Sequence, residues 1–120
     1  MTTRATIDEY FRKLSEKSDW SACLADDMVF TNFATPVKRV DGRTAYVEAT
    51  RRFYSTIVAV NVKNLLVDNA KACALTHYDL QAPGLPKFST DVAEVFQVRD
   101  GKIVSLDIYF DSAPFPKPPQ

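Results

Sequence analysis

One histidine, two cysteines, three glycines and one tryptophan are few for a chain of 120 residues, and the first two shortages close off whole classes of function. A lone histidine, His77, rules out a histidine-rich metal site. The two cysteines, Cys23 and Cys73, match no metal-ligand spacing and make no disulfide framework. Both lie in apolar stretches, which suits small buried thiols rather than reactive ones. No metal or cofactor is therefore expected. Net charge is lacking too: fifteen basic and fifteen acidic residues cancel, with no block of like charge. Binding nucleic acid takes a basic stripe to neutralise phosphates, so nucleic acid is not an expected partner. The N-terminal MTTRATIDEYF has no apolar signal core, and no hydrophobic run approaches the length of a membrane span. No membrane partner is expected, and the cytoplasm is the expected location.

What is present is 46% hydrophobic and 25% charged, the composition of a globular domain, and 120 residues suit one domain with a real core. Residues 113–120 read as an extended proline-rich tail. Near the start, Thr6-Ile7-Asp8-Glu9 reads as a capping box, followed by Ile7, Tyr10, Phe11 and Leu14 at helical spacing. Ser18-Asp19 offers a fresh cap for a short helix carrying Trp20. Two short extended pieces, residues 28–34 and 37–40, precede a helical stripe of Tyr46, Ala49, Phe53 and Ile57. The rest alternates strand and turn: residues 58–67, residues 71–81, the loop 82–86, and a hairpin. Helices first and long antiparallel strands last predict an α+β fold, with helices closing one face of a curved sheet over an apolar pocket. Tyr10, Trp20, Phe30 and Phe53 are its expected lining from the first half. Leu66, Leu106, Ile108 and Phe110 are expected from the strands.

The hairpin turns on Asp100-Gly101, a dipeptide favouring the type I′ turn because both central positions need positive φ. Counting outward from Arg99 opposite Lys102 places Asp91, Ala93, Val95 and Gln97 on one face with Val104, Leu106, Ile108 and Phe110. Asp91 is then the lone carboxylate on an apolar face. On the preceding strand His77 and Asp79 lie two apart, so they point the same way at roughly 6–7 Å. A register pairing Asp79 with Asp91 would set two carboxylates together in an apolar cavity, raising one pKa and leaving an acid beside a base. A register one residue different separates them onto opposite faces, and the loop length does not decide. Asp91, His77 and Asp79, with Asn32 to orient a substrate oxygen or water, are the candidate catalytic set for acid–base chemistry. The plainer readings are a satisfied strand histidine and a solvated turn carboxylate at Asp79. The same count sets Glu94 against Asp107 beside Phe96 and Tyr109 on the convex face, which reads as a homodimer interface. The rival is that the faces are inverted and Glu94 and Asp107 form the site.

The segments DDMVFTNFATPVKRVDGRTAYVEATRRFY and EVFQVRDGKIVSLDIYFD resemble the nuclear transport factor 2-like superfamily. Its relevant branch holds SnoaL-like polyketide cyclases, ketosteroid isomerases and limonene-epoxide hydrolases, and the resemblance covers nearly the whole chain. It implies a cone: a strongly bent, mostly antiparallel sheet around an apolar pocket, commonly dimerised through its convex face. Asp91 resembles the ketosteroid isomerase acid that donates a hydrogen bond to substrate. Asn32 stands at that family's proton-abstracting carboxylate, and Phe11, with Tyr10 adjacent, near its oxyanion tyrosine. Phe30-Thr31-Asn32 is similar to the water-positioning Tyr-x-Asn of the epoxide hydrolases. Asp79 resembles one carboxylate of their triad, His77 replaces its arginine, and Ile108, with Asp107 one place off, its last carboxylate. The expected function is a small-molecule pocket protein, a cofactor-free acid–base enzyme of isomerase, cyclase or epoxide hydrolase type acting on a small apolar substrate. The alternative is a non-catalytic ligand-binding or dimerisation domain of the same fold.

Overall fold

Asp100 and Gly101 have φ of 53° and 74°, the backbone a type I′ turn needs. They join β5 (Phe88–Arg99) to β6 (Lys102–Phe110), with Arg99 opposite Lys102. The computed structural model describes residues 1–34 and 36–115. Residues 116–120 of the expected proline-rich tail lie outside the described residues. Ahead of the hairpin run α1 (Thr3–Glu16), a 3-10 turn (Trp20–Cys23), β1 (Leu24–Asn32), β2 (Lys38–Asp41), α2 (Arg43–Ser55), β3 (Ile57–Asp68) and β4 (Lys71–Leu80). The strands form one six-stranded sheet in the order β2-β1-β6-β5-β4-β3. Only the β1–β6 pair is parallel. The sheet is open, with β2 and β3 as its edges.

Bulges bend this sheet into a cone, because an extra residue on one strand kinks it and increases its twist. Val62 pairs with Thr76 but Asn64 with Leu75, so Lys63 is extra on β3. Val98 pairs with Ile103 but Gln97 with Ser105, so Val104 is extra on β6. That single residue corrects the face count made from the sequence. Beyond it Glu94 opposes Ile108 rather than Asp107, and Phe96 opposes Leu106. Val92, Glu94, Phe96, Val98 and Leu106 turn inward and are buried, whereas Asp91 and Gln97 are exposed.

Helix α1 lies on the concave side with Ile7, Tyr10, Phe11 and Leu14 buried. The rings of Tyr10 and Phe11 meet Phe96 edge-on, with centroids 5.7 Å and 6.0 Å away. The helix begins earlier than its capping box implied. Thr2 is the cap, its hydroxyl accepting from Ala5 N at 3.0 Å. Thr6 is buried inside the helix and donates back to the Thr2 carbonyl at 3.0 Å. Helix α2 covers β1 and β2 and buries Tyr46. It is entered through Gly42 at φ 92° and ψ 145°, a backbone region that is essentially glycine's own. No helix among the described residues is long and apolar enough to cross a membrane.

Candidate functional site

Between the concave sheet and α2 lies a cavity of about 360 Å³. Phe30, Val40, Phe53, Val92, Ile108 and Phe110 make its apolar walls. Its polar groups come from regular elements: Asn32 and Lys38 from β1 and β2, Tyr46, Thr50 and Tyr54 from α2, Tyr78 and Glu94 from β4 and β5. Cross-strand pairing sets Lys38, Asn32, Ile108 and Glu94 in one transverse row, so the cavity has a cation near the edge of the sheet and a carboxyl near its middle.

Glu94 is only 4% exposed. The Tyr78 hydroxyl donates to both its oxygens, at 3.0 Å and 2.9 Å. Burial pushes its pKa up from 4.5 to about 7, and the neighbouring Thr76 and Tyr78 hold it from rising further. The Thr76 Oγ1 is itself buried and has no hydrogen-bond partner among the described residues. Deeper in, the Tyr54 hydroxyl is bonded to Tyr10 at 2.8 Å and to Tyr46 at 2.5 Å. Burial raises the pKa of Tyr10, Tyr46, Tyr54 and Tyr78 well above the ordinary tyrosine value, so all four stay protonated. Three hydroxyls sharing two internal bonds leave one O–H proton over. Where Tyr10 donates to Tyr54, that proton is left on Tyr46 or Tyr54, both of which line the cavity. Asn32 Oδ1 accepts from Ala34 N at 2.9 Å, which leaves its amide N–H groups to donate.

His77, Asp79 and Asp91 come together, but on the other side of the sheet. His77 Nδ1 lies 2.8 Å from Asp91 Oδ1 and its Nε2 lies 3.4 Å from Asp79 Oδ1. The Ser89 hydroxyl donates to Asp79 at 2.5 Å, and Lys63 stands 3.9 Å from Asp91. The register pairs His77 with Asp91 and Asp79 with Ser89. Both acids are held below the usual carboxylate range, Asp79 chiefly by Ser89 and Asp91 chiefly by His77, so neither is the raised acid that an apolar cavity would make. The reason is the side-chain period of two: Ala72, Ala74, Thr76, Tyr78 and Leu80 pack inward from β4, so the alternate set, with His77 and Asp79, must point out.

The sequence model of one family, described as a SnoaL-like domain, matches residues 4–106. The chain belongs to that family. Solved structures agree. A protein from Kribbella flavida DSM 17836 is 25% identical over 92% of this chain and 88% of its own, with a TM-score of 0.79. An epoxide hydrolase of M. tuberculosis resembling limonene-epoxide hydrolase is 23% identical over 93% and 84%, at 0.78. A SnoaL-like polyketide cyclase from Jannaschia sp. CCS1, so described, is 13% identical over 97% and 93%, at 0.76. No curated protein matches the sequence. The SnoaL-like domain thus sits in the nuclear transport factor 2-like superfamily, and its fold fits a small-molecule pocket protein.

Of the residues expected to line the SnoaL-like pocket, Phe30, Phe53, Ile108 and Phe110 do so, and of the expected catalytic set Asn32 alone is with them. Tyr10 and Leu106 are buried in the core behind it, and Trp20 stacks on Tyr54 at 3.9 Å. Leu66 is 63% exposed on the outer face, because it opposes Cys73 there. Glu94, expected on the convex face, is the acid inside. One sequence signal pointed this way: the larger rings, Tyr78 and Phe96, lie on the faces that turn inward.

Proposed function

We propose that this SnoaL-like domain is an acid–base enzyme that binds a small apolar carbonyl compound and moves a proton on it through Glu94. The observation carrying this is a carboxyl in an apolar cavity with a pKa of about 7, where ionised and protonated forms are both populated at neutral pH. The ionised form takes a proton from a carbon next to the carbonyl. The electron pair moves to the carbonyl oxygen, and Glu94 returns the proton to another atom. The spare hydroxyl proton of the tyrosine chain and the Asn32 amide are donors for the developing oxyanion. Proton transfer of this kind serves isomerisation and ring closure, and the polyketide cyclase likeness supports that class. The test is deuterium exchange into 2-tetralone in D₂O, followed by proton NMR. The wild-type protein should exchange the protons beside the carbonyl faster than an equal concentration of acetate. A rate no higher than acetate's would leave a binding protein rather than an enzyme.

The outer face supports a second copy of the chain as partner, with a composition different from the one read in the sequence. Leu75, Ala93 and Tyr109 form one row across three strands, and Phe33 stacks on Tyr109 at 4.8 Å. Leu75, Tyr109 and Phe33 are 40%, 48% and 40% exposed, and contiguous apolar area of this kind marks interfaces. A chain of zero net charge brings no long-range repulsion to its own copy. Glu94 and Phe96 take no part. Tyr109→Lys should shift the protein toward monomer in sedimentation velocity, and a monomeric wild type would defeat the reading.

A further inference from the structure

The cations around β2 are not alike. Arg39 is paired with Asp41 at 2.8 Å and Arg43 with Asp26 at 2.5 Å. Lys38, at the end of β2 opposite Asn32 and lining the cavity, has no ion-pair partner among the described residues. Next to it in the row stands Asn32, whose amide oxygen accepts from Ala34 N and whose two amide N–H groups are donors. The rim therefore offers donors and a positive charge. The inner end of the row offers Glu94, which turns away anions once it is ionised. Three strand steps separate Lys38 from Glu94, roughly 14 Å along the sheet. The walls between them, Phe30, Val40 and Ile108, are apolar.

We infer that the cavity takes a small apolar carboxylate, its charged group held at the rim by Lys38 and Asn32 and its other end placed against Glu94. This rests on the reading of Glu94 as the acid–base group and adds what orients the substrate. Lys38 attracts the head, Glu94 excludes it, and the molecule enters one way round. Its size follows from the cavity: 360 Å³ holds about a dozen non-hydrogen atoms at the density of water. Lysine is a single point charge, which suits one carboxylate rather than a planar bidentate clamp.

An isosteric pair of probes, 3-phenylpropionate and 3-phenylpropanamide, tests the charge alone. By calorimetry at pH 6 and low salt, the wild-type protein should bind the acid about tenfold more tightly than the amide, the size expected of one charge-assisted contact at a half-open rim. Lys38→Met should bring the acid down to the amide's affinity. Equal binding of the two by the wild type, binding of neither, or a preference that survives Lys38→Met would overturn the inference. Carbon-13 NMR of Glu94 in the same protein separates the two claims. Titration near 4.5, the ordinary value, would sink the acid–base reading, whereas the probe pair alone decides the rim.

Discussion

Glu94→Gln is expected to slow carbon-bound proton exchange by about 10²- to 10⁴-fold, the usual contribution of a positioned general base. The same substitution is expected to stabilise the protein at about pH 8 by about 3 kcal/mol, the equivalent of a pKa raised from 4.5 to about 7. The sign follows from the direction of the shift. A carboxyl whose folded pKa lies above its unfolded one prefers to be protonated in the fold. Its contribution is complete below about pH 4.5 and is lost as pH rises through about 7. Glutamine keeps the shape and the acceptor for the Tyr78 hydroxyl but never ionises. Urea midpoints for wild type and variant should therefore converge near pH 4 and separate progressively toward about pH 8. Parallel curves across that range would show that Glu94 is not held in a desolvating site. Tyr78→Phe removes a group that lowers the Glu94 pKa, so it should extend the separation to higher pH from the same lower limit. Loss of turnover together with a gain in stability is the mark of a group kept buried for chemistry rather than for folding.

The sequence announces most of this architecture, because the devices that build it are local. Asp100-Gly101 specifies its own turn, and Asp68 opposite Lys71 follows from the turn between β3 and β4. The α1 stripe of Ile7, Tyr10, Phe11 and Leu14 needs only the helical period to be seen. The candidate site is less legible, since it depends on which face of a strand looks inward. Val104 carries no mark of being an extra residue, yet it exchanges the faces of β5 relative to the turn-based count. Neither face of that hairpin is polar enough to reveal the error. The set around Asp91 includes Ala93, Val95, Leu106 and Ile108, and the set around Glu94 includes Val92, Phe96 and Val98. Apolar residues on both sides are what a sheet with a core on one face and an apolar patch on the other requires, so alternation alone does not choose between them. The three acids and the histidine were each visible as residues. The period of two divides them between the faces, and the bulge sets which face of β5 lies inward with Leu106 and Ile108.

Phe96→Ala is expected to cost about 3–5 kcal/mol, and Val95→Ala about 1 kcal/mol or less. The contrast reads the Val104 bulge directly. Counted from the turn without a bulge, Val95 faces the core and Phe96 the convex surface, so the order of the two costs would be reversed. In the structure Phe96 is 1% exposed, opposes Leu106, and is met edge-on by Tyr10 and Phe11 of α1. Removing its ring leaves a void under the helix that rigid neighbours fill poorly, since α1 is held at both ends by Thr2 and the left-handed cap at Lys17. A loss of that size is a large share of the total stability of about 5–15 kcal/mol usual for a domain. Val95 lies on the outer face opposite Cys73 and Asp107, only partly buried, outside the core that Phe96 fills. Chemical denaturation of the two variants at about pH 5, where Glu94 is protonated and adds no difference, gives both numbers on one scale. Equal costs, or a larger one at Val95, would return Asp91 to the inside of the cone and take Glu94 out of it, and the acid–base reading would fall with that exchange.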